Sequence, residues 1–146
     1  MPLLVRRASA GDLEAIRALL VELGYAALAS EPRLGDVLDE VLADPMRAVW
    51  LAVDEDDVLG LATTTVCLQL RLAGRELTLE ELVVRERARG RGVGRALVAH
   101  VKDEATRLGV VRVQLTTNTH RDVYLRRFYP KNGFVEASSA VMRWTP

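Results

Sequence analysis

Apolar positions fall at helical spacing in three stretches of this chain and in short alternating or continuous runs in several others. Leu13, Ile16, Leu19, Leu20 and Leu23 recur every three or four residues, with Ser9 and Asp12 placed ahead of them as a capping box and Gly24 as a stop. Leu34, Val37, Leu38, Val41 and Leu42 form a second such face after Pro32. Asp44-Pro45 closes it, because the residue before proline avoids the helical region. Val93, Ala96, Leu97, Val101, Ala105 and Leu108 give a third helix, of about four turns, ending at Gly109. Strands are predicted at residues 3–7, 48–53, 58–70, 76–84 and 110–116. The acidic turn 54–57 and the turn at Gly74 make the middle three an antiparallel meander, and the helix between 84 and 110 implies a parallel crossover. Residues 121–132 are predicted to be helical, anchored by Val123 or Tyr124 with Leu125 and Phe128, and residues 134–135 and 141–144 to be two short final strands. The order βααβββαβαββ is an α/β fold on a mixed sheet. With no repeat or linker, residues 1–146 are expected to form a single domain.

Composition narrows the class. An apolar share of 49% over 146 residues suits one packed core rather than disorder. Lys plus Arg and Asp plus Glu are 20 each, and a formal charge of zero argues against a generic nucleic-acid partner. Cys67 is the only cysteine, so no intrachain disulfide can form and a reducing compartment is the simple reading. The N-terminal Met-Pro-Leu-Leu-Val-Arg-Arg lacks the apolar core of a signal peptide, and no apolar run reaches the roughly 18–20 residues of a membrane span. A cytoplasmic protein without a membrane partner is expected. Cys67 is expected to be a buried structural thiol, and His100, on the helix side away from the apolar stripe, to face solvent. Two histidines without clustered cysteines make no metal site.

Zero net charge hides a local excess. Residues 85–95 carry five arginines against one carboxylate, Glu86. Within them lies Arg89-Gly90-Arg91-Gly92-Val93-Gly94-Arg95, between an apolar strand and an amphipathic helix. A helix start carries unpartnered N–H groups and the positive end of the helix dipole, which together bind phosphate. Gly90, Gly92 and Gly94 keep side chains away from such an anion, and Arg89, Arg91 and Arg95 can add charge-assisted contacts. The turn is neither a P-loop, since no Gly-Lys-Ser/Thr follows, nor a G-x-G-x-x-G fingerprint. A solvated basic loop is the competing reading.

Leu82-Val83-Val84, followed by Arg89-x-x-Gly92-x-Gly94 and the helix from Arg95 to Leu108, resembles the acetyl-CoA motif of the GNAT superfamily of N-acetyltransferases. Arg127-Phe128-Tyr129-x-x-x-Gly133-Phe134 resembles that family's C-terminal signature, and the element order matches as well. The resemblance implies a splayed central sheet, in which the strand ending at Val84 leans away from the strand at 110–116. The gap would admit the pantetheine arm of acetyl-CoA, with the backbone of Leu82 and Val84 pairing to it like an added strand. It further implies the N–H of Val83, or else of Val84, for polarising the thioester carbonyl, and Asn118 for bonding the arm. Tyr129 would be the general acid toward the CoA sulfur, since a phenol keeps its proton at neutral pH. Pro130, where relatives carry a helix former, is expected to break the last turn of that helix. Homodimers are common in the family, and Trp144 with Val141 suits either an interface or the core.

Amine acetylation also needs a base, because a primary amine is mostly ammonium at neutral pH. Glu80 and Glu81 interrupt an otherwise apolar strand, and strict alternation would send them to opposite faces. Burial would raise the pKa of whichever enters the cleft. The resemblance favours Glu80, with Glu81 second; structural roles for both are the alternative. For the acceptor, Glu22, Tyr25 and Glu31 are candidates to meet an amine, and Arg71 and Arg75 an acidic group on it. Leu68-Gln69-Leu70, Glu81 to Val84, Ala88-Arg89-Gly90 and Thr117-Asn118 are also similar to small bacterial aminoalkylphosphonate acetyltransferases. A small primary amine is the first expectation for the acceptor, and a protein N-terminus or lysine the second. A non-catalytic acetyl-CoA-binding sensor on the same fold and a nucleic-acid module using the arginines are the competing classes.

Overall fold

The strands β1 (Leu3–Arg7), β2 (Arg47–Asp54), β3 (Asp57–Gln69), β4 (Gly74–Val84) and β5 (Arg112–Leu115) lie side by side in chain order in the computed structural model, which describes residues 2–146. Neighbours from β1 to β4 pair antiparallel, and β5 joins β4 in parallel, as the intervening helix requires. This sheet belongs to the first of two compact units, which runs to Thr116. The helices α1 (Leu13–Leu23) and α2 (Leu34–Ala43) cover one face and α3 (Val93–Leu108) the other.

The capping box ahead of α1 is present, opening a 3-10 turn over Ala10–Asp12. Asp12 Oδ2 accepts the Ser9 N–H at 2.8 Å, and Arg6 donates to both Asp12 oxygens at 2.9 Å. The Arg6 guanidinium is the main reason that the Asp12 carboxyl is held down to about 2.

Alternation along β2 divides the core. Val49, Leu51 and Val53 meet Ile16, Leu19 and Leu38 on the α1/α2 face, whereas Trp50 and Ala52 lie in the cluster with Val93, Leu97 and Val101 of α3. Burial on both faces explains why this strand reads as an unbroken apolar run. On β3, Gly60 admits α3 closely: a Cβ there would stand 3.0 Å from both Leu97 Cδ1 and Val93 Cγ1 and 3.1 Å from the Val83 carbonyl oxygen. Gly60→Val is therefore expected to lower stability by about 1–3 kcal/mol through overpacking. Denaturant unfolding measures it; an unchanged midpoint would show that α3 is not seated on this residue.

Two sequence expectations change here. His100 is half-buried, its ring edge-on to Trp50 at 4.3 Å between centroids, because Trp50 reaches past the apolar stripe of α3. Cys67 is exposed, since β3 runs on past the core to Gln69.

The second unit, from Thr117, contains two single-turn helices, α4 (Asp122–Leu125) and α5 (Phe128–Lys131), in place of one helix over 121–132. The break falls at Arg127, which takes a left-handed φ of 61°, and not at Pro130. Pro130 occupies the first turn of α5, where its missing N–H would have had no intrahelical partner. Neither final strand forms: residues 134–135 and 141–144 lie outside any ladder, and segments this short are not stable as strands without a partner. Trp144 is 86% exposed and Val141 54%, so neither is core. Among the described residues no helix is long and apolar enough to cross a membrane.

Candidate active site

The carboxyl pair on β4 sits at a break in the ladder. Thr63 pairs with Glu81 and Thr64 with Leu79, so Glu80 is an extra residue, a β-bulge. The Glu81 N–H donates to the Thr63 hydroxyl at 3.0 Å. The bulge cancels the alternation expected for the two carboxylates. Leu79 belongs to the α3-side cluster and Val83 to the α1/α2 side. Between them, Glu80 bonds across the sheet to the Thr65 hydroxyl at 2.7 Å and faces Arg47 of β2 at 3.8 Å. Arg47 also acts on Glu81. Both carboxyls thus share one cluster on the α1/α2 face. Burial, and next the charge of Glu80, raise the Glu81 carboxyl above the ordinary range, and Arg47 opposes them. Glu80 remains exposed, held by Thr65.

Past the bulge, β4 parts from β5. Their pairing ends at Leu79 with Leu115, while β4 continues to Val84. The Arg85 N–H donates to the Leu59 carbonyl of β3 at 2.8 Å, and the Glu81 N–H also turns to β3. Backbone groups alternate in direction along a strand, so Val83 faces β3 as well, and Leu82 and Val84 present N–H and C=O to the open edge. Of the two amides considered for polarising a carbonyl, Val84 is the one directed outward.

That edge leads into the glycine turn. A 3-10 turn over Glu86–Ala88 precedes Gly90 (φ 75°) and Gly92 (φ 82°), the N-cap of α3. Both need the left-handed region, and among the described residues a Cβ on either would meet nothing within 4 Å, so there is open space beside both glycines. Among the described residues no side chain caps α3, and its first intrahelical bond runs from the Ala96 N–H to the Gly92 carbonyl at 3.0 Å. The amides of Val93, Gly94 and Arg95 therefore lack helical partners, while the Val93 side chain is buried beneath them.

The arginines divide by task. Arg85 donates to the Val58 carbonyl at 3.1 Å and to Glu22 at 3.2 Å, and Glu22 also accepts the Glu86 N–H at 3.1 Å. Arg87 donates to Asp57 at 2.6 Å. Arg89 Nε donates to the Val84 carbonyl at 3.2 Å, placing its guanidinium beside the open edge, and Arg95 is exposed on the first turn of α3. In the second unit, Tyr129 packs edge-on to Phe128 and Phe134 at 5.2 and 6.0 Å between centroids. Burial raises its phenol above the usual value. Asn118 Oδ1 accepts the His120 N–H at 2.9 Å, which commits its oxygen locally.

Residues 13–134 match the acetyltransferase (GNAT) family. The chain belongs to the GNAT family. An aminoalkylphosphonate N-acetyltransferase of Salmonella typhimurium strain LT2 is 29% identical over 134 residues, 91% of this chain and 85% of that one. The crystal structure of a transcriptional regulator from Bacillus halodurans C-125 superposes with a TM-score of 0.88 at 25% identity, covering 98% of this chain and 99% of the other. Glucosamine-6-phosphate N-acetyltransferase from Arabidopsis thaliana has the same fold, with a TM-score of 0.83 at 18% identity over the whole of both chains. The GNAT enzyme described here is accordingly an acetyl-CoA-dependent N-acetyltransferase.

Several acceptor candidates in this GNAT chain are already engaged. Glu22 holds the turn, Glu31 accepts from the Arg33 N–H and Nε at 3.0 and 3.1 Å, and Arg71 donates to Gln69 at 2.9 Å. Tyr25 and Arg75 are exposed. Arg47, Thr63 and Thr65 were missed by sequence reasoning. The signal for them was slight: a cation opening an apolar strand, and a threonine run opposite two adjacent glutamates.

Proposed function

We propose that this acetyltransferase moves the acetyl group of acetyl-CoA to the primary amine of a small molecule by direct attack in a ternary complex. The observation that carries the reading is the coupled carboxyl pair at the bulge, next to an open strand edge that runs into an anion-ready helix start. Among the proteins it resembles, the Salmonella relative is named for an amine acceptor of this small size.

Glu81 takes the proton from the acceptor ammonium, directly or through one water. Its raised pKa makes it a stronger base than an ordinary carboxylate. The freed amine attacks the thioester carbonyl, and the Val84 N–H stabilises the oxygen that gains charge; as the C–S bond breaks, the surplus proton on the nitrogen passes to water. Tyr129 returns a proton to the departing sulfur, its burial keeping the phenol protonated at neutral pH. The pantetheine arm pairs with Leu82 and Val84 as an added strand. The pyrophosphate rests on the amides of Gly90 to Arg95, with Arg89, Arg91 and Arg95 around it. Asn118, through its amide N–H, bonds the same arm.

Acetyl-CoA is expected to raise the melting temperature, by about 2.7 kcal/mol of added stability at a hundred times Kd. CoA release should follow on adding small primary amines. Binding without turnover on any amine, peptide N-terminus or lysine peptide would replace the enzyme reading with that of a sensor.

A further inference from the structure

The base cluster contains a cation that the acetylation chemistry does not use. Arg47 opens β2 on the α1/α2 face, in register with Thr65, beside both bulge carboxylates. Among the described residues its guanidinium makes one hydrogen bond, from Nη1 to Thr65 Oγ1 at 3.3 Å. Its ion pairs with Asp44 and Glu80 stand at 3.4 and 3.8 Å, and the side chain is 39% exposed. Loose, half-exposed pairs of this kind contribute little to stability. None of these contacts, through Nε to Asp44 and through Nη1 to Thr65 and Glu80, is the paired grip of the planar fork, which binds an oxyanion through two parallel N–H bonds far more strongly than it holds a single distant carboxylate.

The placement of the charges matters as much as their presence. An acceptor amine must come to Glu81, and Glu80 adds negative charge beside it. Arg47 stands on the neighbouring side of that carboxylate pair, so an atom joined to the amine by a short linker reaches it. The cluster offers negative and positive charge at adjacent points of one face, the complement of a small zwitterion.

We propose that Arg47 selects the acceptor by binding an oxyanion carried on the same small molecule as the attacking amine, making short amino-carboxylates or aminophosphonates the substrate class. This rests on the acetyltransferase reading of the Glu81 site. Arg47 is a specificity residue: it touches the acceptor away from the reacting atoms and lends them no proton.

The test compares three amines of matched length: 2-aminoethylphosphonate, β-alanine and propylamine, which has no anion. The wild type is expected to prefer at least one anionic amine over propylamine by more than tenfold in kcat/KM. Arg47→Gln should reduce that preference at least tenfold, mainly through KM, because the anion contact is equal in ground and transition states. Arg47→Lys should restore only part of it, since an ammonium lacks the fork. The relative order of the phosphonate and β-alanine identifies the oxyanion. Equal losses on all three amines would overturn the proposal and leave Arg47 a structural residue. Efficient acetylation of propylamine with no anionic preference would overturn it while the acetyltransferase reading stands. If the wild type binds acetyl-CoA and acetylates none of the three or any other amine, both readings fall together.

Discussion

Glu81→Gln is expected to lower kcat by about 10²–10⁴-fold while leaving the folded protein at least as stable as the wild type. The two halves of this expectation share one cause. Burial and the Glu80 charge raise the Glu81 pKa. A carboxyl whose pKa is higher folded than unfolded stabilises the fold most when protonated, and loses that contribution as pH rises through the folded value. At neutral pH the ionised form therefore strains the fold, and glutamine removes that strain together with the base. In the wild type, kcat/KM should fall as pH drops through a limb lying above the ordinary carboxylate range, and the variant should lose this limb. Glu80→Gln removes the charge that raises Glu81, so it should shift the limb downward with a smaller loss of rate. The pH profiles of the two variants decide the assignment. A lost limb in Glu80→Gln with an intact one in Glu81→Gln would transfer the role of base to Glu80.

The second large effect is expected at the turn. Gly92→Val should weaken acetyl-CoA binding by about 100-fold or more, close to 2.7 kcal/mol, with kcat at saturation largely kept. Gly92 sits at φ 82°, where a side chain costs roughly 1–2 kcal/mol. No protein atom obstructs the added Cβ, so the fold can survive. The isopropyl group would instead fill the space above the amides of Val93, Gly94 and Arg95, where the diphosphate is proposed to lie. Isothermal titration with acetyl-CoA reads this directly. Unaltered affinity would remove the phosphate from this corner.

The parts of the fold that were readable share a trait: local pattern and tertiary burial agree in them. The helices α1 to α3 carry apolar stripes with stops, and β2 is apolar on both faces because both faces are covered. The glycine turn was readable because positive φ and an uncapped helix start leave a chemical signature. The bulge at Glu80 left none, since one inserted residue changes no composition and only the register against Thr63 and Thr64 displays it. That insertion put both carboxylates on one face, where Glu80 meets Thr65 and Arg47. The C-terminal strands failed for the opposite reason. Val141 to Trp144 has the composition of a strand, but a strand is made by its neighbour, and none pairs with it here. The left-handed Arg127 is likewise set by context rather than by residue type. At His100, a single large neighbour, Trp50, outweighed the position on the helical wheel.

The early end of the β4–β5 ladder bears on more than room for a substrate. β5 is four residues long and fully paired, with the bond between Arg112 and the buried Glu76 at its first register pair, so the rungs that lack a partner are those of β4 beyond Leu79. A thioester arm lying along Leu82 and Val84 would supply the missing rungs of that ladder. The acetyl donor would then be a temporary strand of the sheet, and the enzyme would complete its own architecture only while holding its co-substrate.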